Sequence, residues 1–363
     1  MSTRHAPWLR RVAAVFAIAV TATASQAFAQ GLTKIRLLMP IAQIDEIFSP
    51  FLIAKEVGYF RDEGLDVDII AVAGAKAALI QLASGNAEMA VIQPPDLMAG
   101  QQPPNNMPVQ LVYDMYYQNI WSVAVPTESP IKSVDELKGR KIGVAAMGST
   151  AVTYGKAFLD KVGLQVPRDA QFLAIGVGGQ GATAVRSKAV DAVIYWDAMY
   201  IKLSQIGLGL RFLPTDEKLR SLPDASLGAR LDFIDKNPKA VIGIGRALAK
   251  GYIFNQANPE AAIRITWKQV PTSKALNVPE DKALKNAIAV NQTRMKIWVT
   301  PKTNVWGKFI DSDWQNLVAF AKQYGLVDPK ADVSLARLYT ERFVPDFNKF
   351  DRDAVIAQAK AWK

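Results

Sequence analysis

The sequence predicts a two-lobed α/β protein in which two similar halves each carry a parallel-type sheet flanked by helices. Three observations lead to this fold class. The first half alternates strand and helix patterns, the same order restarts near residue 140, and the last third is helical without a further glycine-rich unit. Strands that alternate with helices favour parallel sheets covered by helices. With 363 residues, the chain is long enough for two domains of ordinary size.

The first half reads as β-α-β-α-β. We predict strands over 34–39, 65–72 and 88–92, with helices over about 49–57 and from Gly74 to Gly85 between them. Pro40 ends the first strand, and Gly85 ends the second helix, because glycine adopts the left-handed conformation that closes helices. A polar, proline-rich loop over 101–108 then leads to two strand-like runs, 109–114 and 121–126.

The second half repeats this design. Residues 142–145 match the first strand, and a helix from Ser149 to about 162 matches the first helix. The glycine-rich turn over 176–181 matches the turn at Gly74, and 187–195 match 84–92. From residue 213 onward we predict helices, which cover the first lobe after the chain crosses back. We therefore predict lobe I over 30–121 and 213–363, lobe II over 122–212, and a hinge near Trp121 and Phe212.

The first 29 residues have the pattern of a secretory signal peptide. Arginines at 4, 10 and 11 precede an apolar run over 12–20, which is too short to span a membrane, and a small-residue cleavage site precedes Gln30. The chain has no cysteine and therefore no lipid attachment site at a mature N-terminus. These features predict a secreted periplasmic protein that is not a lipoprotein.

The residue inventory excludes several kinds of chemistry. The only histidine is His5, inside the predicted signal, so serine–histidine catalysis, cysteine nucleophiles and histidine zinc sites have no ligands or bases to draw on. The formal charge is +10, but basic and acidic residues alternate, and no basic stripe with interleaved aromatics indicates nucleic acid. We expect no catalytic residue, no cofactor, no metal and no nucleic acid, and we expect a monomer.

The candidate site lies where the two lobes face each other. Ligands of open parallel sheets bind beyond the carboxyl ends of the strands. Six loops of the two predicted sheets meet there, over 39–48, 73–76, 93–96, 146–150, 176–180 and 195–197. The residues in them that we predict to contact a ligand are Asp45, Gly74, Gln93, Asp96, Gly148, Ser149, Thr150, Gly179, Trp196 and Asp197.

These residue types have both functional and purely structural interpretations. Ser149 and Thr150 open a helix whose free N–H groups suit a carboxylate, sulfonate or phosphate, although serine and threonine also serve as ordinary caps. Trp196 and nearby aromatics at 116, 117 and 121 can stack on a planar ligand or pack in the core. Asp45 can bind an amine, and Gly179 allows close backbone approach, but solvated loop acids and turn glycines are common.

Several motifs resemble the bacterial ABC-transporter substrate-binding proteins of the nitrate, sulfonate, taurine and thiamine-pyrimidine type. The resembling segments occur in order along nearly the whole chain, at 58–60, 63–67, 82–88, 134–144, 148–150, 190–192 and 348–360. Two positions depart from the family pattern: Glu88 stands where the family often has Asp, and Lys188 where it usually has Gly.

The resemblance implies a type II periplasmic binding protein fold, known as a Venus flytrap, that closes on one small molecule. Such a receptor delivers its ligand to a membrane permease with a cytoplasmic ATPase. The ligand would be a small organic molecule, either aromatic or heteroaromatic or anionic, such as a sulfonate, carboxylate or pyrimidine. The alternative is an exported lyase or dehydratase on the same fold, with Asp45, Asp114 or Asp197 as acid or base.

Overall fold

Ten strands form two separate five-stranded sheets in the computed structural model, which describes residues 31–362. The predicted signal peptide over 1–29 lies outside the described residues. The strands are β1 (Thr33–Met39), β2 (Leu65–Ala71), β3 (Met89–Ile92), β4 (Val109–Tyr116), β5 (Trp121–Pro126), β6 (Lys141–Val144), β7 (Gln171–Ala174), β8 (Ala192–Trp196), β9 (Leu210–Phe212) and β10 (Ala225–Arg230). The first sheet has the order β2-β1-β3-β10-β4 and the second β7-β6-β8-β5-β9.

Both sheets are mixed, which refines the prediction of parallel-type sheets. β1 pairs with β3 in parallel, as β6 does with β7 and β8. β10 runs antiparallel to β3 and β4, and β5 runs antiparallel to β8 and β9. The antiparallel strands β5 and β10 are those that follow the two crossings of the chain between the sheets, at 117–120 and 213–224.

Helices flank both sheets. Those before residue 213 are α1 (Ser49–Glu56), α2 (Tyr59–Asp62), α3 (Ala75–Ala83), α4 (Pro94–Gly100), α5 (Thr150–Asp160), α6 (Gly178–Arg186) and α7 (Asp197–Gln205). The later ones are α8 (Leu231–Lys236), α9 (Pro238–Ala257), α10 (Pro259–Gln269), α11 (Glu280–Met295), α12 (Asp311–Gln323), α13 (Leu335–Leu338), α14 (Val344–Phe347) and α15 (Arg352–Ala361).

The long helix α9 packs directly on α1. Pro238 opens it at a position where the missing N–H costs nothing, and most of its residues are buried. At Gly251 the two backbones touch, because a Cβ there would lie 2.2 Å from the carbonyl oxygen of Pro50. The late helices thus cover the first sheet after the second crossing.

The repeat seen in the sequence has a structural basis at the end of each parallel strand pair. Glu88 accepts the backbone N–H of Arg36 at 2.7 Å, and Asp191 accepts that of Lys141 at 2.9 Å, so equivalent acids tie equivalent strands together. The preceding turns also match, since Lys188 has φ +58° where Gly85 has φ +83°. The lysine that departs from the family pattern therefore adopts the left-handed conformation usual for glycine.

Several elements were not predicted from the sequence, among them β7, β9, β10 and α4. β10 lies inside the first sheet, between β3 and β4, and four of its residues, from Ser226 to Ala229, pair with β3. Its sequence, ASLGAR, is short and contains small residues, which is why its strand character is weak.

Candidate functional site

The strand ends of the two sheets face each other across the gap between them. In the first sheet, β3 and β4 end and β10 begins at one edge, because Ile92 and Tyr116 pair with the first residues of β10. In the second sheet, the end of β8 lies beside the start of β5, since Trp196 pairs with Trp121. Polar and aromatic residues from both sheets therefore gather at one place.

Helix α5 begins as predicted. Ser149 is its cap residue, and the serine Oγ accepts the N–H of Ala151 at 3.2 Å. Thr150 donates its hydroxyl to the Asp96 carboxylate of the other sheet at 3.2 Å. Burial raises the pKa of Asp96 to about 6, while the charge of Lys76 and the Thr150 hydroxyl lower it. A carboxylate of the protein itself thus lies at the position where we predicted an anionic ligand.

Gly74 and Gly148 bring the two halves into backbone contact. Gly74 has φ +104°, and a Cβ there would lie 3.1 Å from the carbonyl oxygen of Gly148. A side chain at Gly74 would therefore be strained and would push the halves apart. Beside this contact, a cavity of about 290 Å³ is bordered by Lys76, Asp96 and Lys156, among others.

Asp45 takes part in an ion pair between the two halves. Lys202 of α7 lies 2.7 Å from Asp45 and 3.1 Å from Glu46. Asp45 also caps the short turn after it by accepting the N–H of Ile47. Burial and the adjacent Asp45 raise the pKa of Glu46 to about 7, whereas Lys202 lowers it. Asp45 is therefore already engaged by a lysine rather than by a free amine.

Asp197 forms a second ion pair between the halves. It accepts from Arg294 of α11, whose side chain is 2% exposed. The guanidinium also lies over the ring of Tyr116, with its central carbon 4.7 Å from the ring centroid. This arrangement fixes the first residue of α7 against the late helices.

The remaining predicted residues lie in different surroundings. Gln93 is buried at the start of α4, and its Oε1 has no hydrogen-bond partner. The Trp196 ring meets the edge of Trp121 with centroids 6.1 Å apart. Gly179 lies in the first turn of α6, and a Cβ there would contact nothing within 4 Å. The structure brings Gln93 and Trp196 to the facing strand ends.

A cluster of buried polar groups lies at this junction, which we call the cleft cluster. Its five members are Tyr116, Asn119, Trp121, Tyr154 and Asp224. Each carries at least one buried polar atom without a hydrogen-bond partner, and in Asp224 both carboxylate oxygens are without one. Buried polar groups in native proteins are nearly always hydrogen-bonded. In these five residues such atoms are grouped in one place, where Trp121 lies beside Asp224 and Asn119 beside Tyr154.

The positions of the cleft cluster in the chain explain why they face each other. Asn119 and Asp224 belong to the two crossings between the sheets, and the Asp224 N–H donates to the Tyr116 carbonyl at 3.0 Å. Burial and the negative charges of Asp224 and Asp96 raise the pKa of Tyr154, so these groups are neighbours.

Sequence reasoning missed Asp224, Asn119, Tyr154, Lys202 and Arg294. Asp224 precedes the strand that was not predicted, and Arg294 stands in a helix whose pattern carries no site signal. Aromatic residues 116 and 121 were weighed as cleft lining, and both belong to the cleft cluster. A proline followed by an acid at 223–224 was the only local sign of Asp224.

Within residues 31–362, no three or more His, Cys, Asp or Glu side chains are grouped so that they could hold a metal ion. No helix in that range is both long enough and apolar enough to cross a membrane.

Two mixed sheets that meet around a buried polar cluster define the two-lobed architecture of periplasmic binding proteins. The alkanesulfonate-binding protein SsuA from Xanthomonas axonopodis pv. citri, solved with bound MOPS, is similar with a TM-score of 0.61 and 17% identity. The match covers 91% of this chain and 99% of that one. The model of the family described as NMT1/THI5 like matches residues 46–262, which is more than half of the chain. The chain therefore belongs to this family.

Two relatives are similar at the level of sequence. The riboflavin-binding protein RibY of Chloroflexus aurantiacus is 24% identical over 308 residues, which cover 82% of each chain. The formylaminopyrimidine-binding protein of Halalkalibacterium halodurans is 24% identical over 216 residues, covering 59% of this chain and 64% of that one. The predicted fold class and the predicted family resemblance are thus confirmed.

Proposed function

We propose that this protein is a periplasmic receptor that captures one small organic molecule between its two lobes and delivers it to an ABC importer. The cleft cluster carries the proposal, because its polar atoms are buried between the sheets without partners. Burying such atoms costs free energy unless another molecule supplies hydrogen bonds. Membership of the family and the architecture shared with SsuA support a binding role.

The ligand we propose is planar and heteroaromatic. Tyr116, Trp121 and Trp196 provide ring faces and edges at the junction, and such rings suit a flat partner. The names of two relatives, which bind riboflavin and formylaminopyrimidine, support the same choice. Of the residues predicted from sequence, we propose Gln93, Trp196 and the neighbouring Asp197 as ligand contacts, and Gly179 remains a prediction.

We propose that the lobes comprise 30–121 with 213–363 and 122–212, and that ligand stabilises their closed arrangement. The ion pairs of Lys202 with Asp45 and of Arg294 with Asp197 join the two halves in the present structure. A ligand that contacts both lobes binds the closed state more tightly and shifts the population toward it. The importer's permease would then recognise the closed, loaded form.

We propose that the ligand leaves the site unaltered. The three acids that an enzyme on this fold would have used are already engaged by the protein. Asp45 pairs with Lys202, Asp197 pairs with Arg294, and Asp114 accepts from Ser226 and Trp314. An acid or base occupied in this way has no oxygen directed at a reacting group.

Mass spectrometry under native conditions tests the binding role directly. We expect protein purified from the periplasm to carry one small molecule, or to acquire one from a library of heteroaromatic compounds, carboxylates and sulfonates. That molecule should raise the melting temperature and reduce the radius of gyration in small-angle scattering. If no compound of the library changes mass, melting temperature or compactness, the proposed function is wrong. If a bound compound is converted to product, the protein is an enzyme instead.

A further inference from the structure

Asp224 differs from every other buried carboxylate in the described chain. Asp45, Glu46, Asp96, Asp114 and Asp313 each have at least one hydrogen-bonding or ion-paired oxygen. Neither oxygen of Asp224 makes a hydrogen bond of full geometry, although the residue is fully buried, and no basic nitrogen of residues 31–362 lies within 4 Å of them. The indole N–H of the adjacent Trp121 is the one donor that lowers the pKa of Asp224. A buried, unpartnered carboxylate is costly, and its retention indicates a use.

The backbone of Asp224 is well fixed. Its N–H donates to the Tyr116 carbonyl at 3.0 Å, and the next residue, Ala225, begins β10. Because β10 runs antiparallel to β3 and β4, its first residues lie at the edge where those strands end. The carboxylate is thus held by the rigid sheet at the junction of the two halves, as a specific binding group requires.

The charge balance at the junction is negative. Arg294 is the cation that lowers the pKa of Asp224, but its guanidinium is hydrogen-bonded to Asp197. Burial is the largest cause and raises the pKa of Asp224 to about 7, and the negative charges of Asp197 and Asp96 raise it further. Where Asp224 is ionised, an incoming oxyanion would meet a second negative charge, and Arg294, the cation beside it, is already bonded to Asp197.

The other members of the cleft cluster supplement this carboxylate with donors. The unpartnered atoms of Trp121 and Asn119 are an indole N–H and an amide NH₂, which only donate. The hydroxyls of Tyr116 and Tyr154 donate or accept. A molecule that satisfies the whole cluster therefore presents a donor to Asp224 and ring or carbonyl acceptors to its neighbours.

We propose that Asp224 anchors the ligand, and that the ligand presents to it a cationic or N–H donor group, such as an amidine, a protonated amine or an amino group on a heteroaromatic ring. Above about pH 7, where Asp224 is ionised, the same carboxylate disfavours sulfonates, nitrate and simple carboxylates. This inference rests on the proposed function and narrows it to one ligand class.

Isothermal titration calorimetry with two matched probes tests the inference. Benzamidine and benzenesulfonate share one ring and differ in the sign of their charged group. At pH 8, where Asp224 is ionised, we expect benzamidine to bind the natural protein and benzenesulfonate not to bind. Asp224→Asn should weaken benzamidine binding at least tenfold, because a charge-assisted pair becomes a neutral contact. Asp114→Asn, which changes a buried carboxylate outside the cleft cluster, should leave it within twofold.

Several results would overturn the inference. Binding of benzenesulfonate, no binding of benzamidine, or unchanged benzamidine binding in Asp224→Asn would each contradict the proposed anchor. Circular dichroism and a cooperative melting transition establish that both variants are folded. The proposed function fails on separate grounds, because benzenesulfonate that binds and compacts the protein would refute the anchor while supporting a receptor.

Discussion

Asp114 lies on β4, and Asp224 lies immediately before β10, the strand that pairs with β4. Both carboxylates are buried, but they differ in their hydrogen bonds. Asp114 accepts from Ser226 at 2.9 Å and from the indole N–H of Trp314 at 3.0 Å. Neither oxygen of Asp224 has a partner at full hydrogen-bond geometry, and only the indole N–H of Trp121 acts on it as a donor. Burial raises the pKa of each to about 7, so burial does not distinguish them.

The difference between them separates a structural role from a binding role. A partnered carboxylate inside a sheet joins β4, β10 and α12 and contributes to stability. An unpartnered one at the junction of two lobes destabilises the ligand-free protein, and functional sites are where proteins retain such a cost. The missing partners, rather than the burial, are the reason that we propose Asp224 as the residue that binds the ligand.

The largest expected effect is a loss of stability on replacing Asp114, whose carboxylate is hydrogen-bonded. Asp114→Ala leaves the hydroxyl of Ser226 and the indole N–H of Trp314 without partners and opens a small cavity. We expect a loss of about 3 kcal/mol in the free energy of unfolding, measured by urea denaturation. Asp68→Ala is the control, since its carboxylate is exposed and should change stability by less than about 0.5 kcal/mol. A loss at Asp114 no larger than at Asp68 would contradict the structural role.

The pH dependence of stability tests the raised pKa that Asp114 and Asp224 share. An aspartate has a pKa near 3.9 in the unfolded chain, so between about pH 4 and 7 the folded protein keeps protons that the unfolded chain has released. Stability therefore falls as pH rises through this range. We expect the natural protein to have a lower free energy of unfolding at pH 7 than at pH 5. Asp114→Asn and Asp224→Asn should each remove about 1 to 2 kcal/mol of that decrease.

The buried Asp96 and Glu46 also have raised pKa values, but they remain in every variant and cancel when a variant is compared with the natural protein. A variant of either aspartate that keeps the full pH dependence would show that its carboxyl is not desolvated in solution.

The part of the fold that repeats was predictable from the sequence. β2 and β6 are each a short run rich in apolar residues followed by a glycine turn and a helix, and the cap at Ser149 lies where predicted. β10 was not predictable, because its central place in the first sheet depends on partners far away in the chain. Local sequence patterns do not indicate which distant strands will pair.

The sequence indicates where the candidate site lies, but it does not indicate which residues contact one another there. Loops at strand ends point to the gap between the lobes, and Asp96, Thr150 and Asp197 do lie there. Their partners do not follow from sequence, since Asp96 reaches Thr150 from the other sheet and Asp197 meets Arg294 from a helix 97 positions later. These contacts between the two halves cannot be read from local sequence patterns, and the anion site at Ser149 and Thr150 stays a prediction.

The melting temperature of ligand-free Asp224→Asn, compared with that of Asp114→Asn, tests the central claim most directly. Both proteins are refolded from denaturant so that no bound molecule remains. At pH 8, where Asp224 is ionised, removal of its buried charge should stabilise the protein by about 1 kcal/mol and raise its melting temperature by about 2 °C. The same change at Asp114 should lower the melting temperature. A lower melting temperature for Asp224→Asn would mean that Asp224 stabilises the fold, and the account of the binding site would be contradicted.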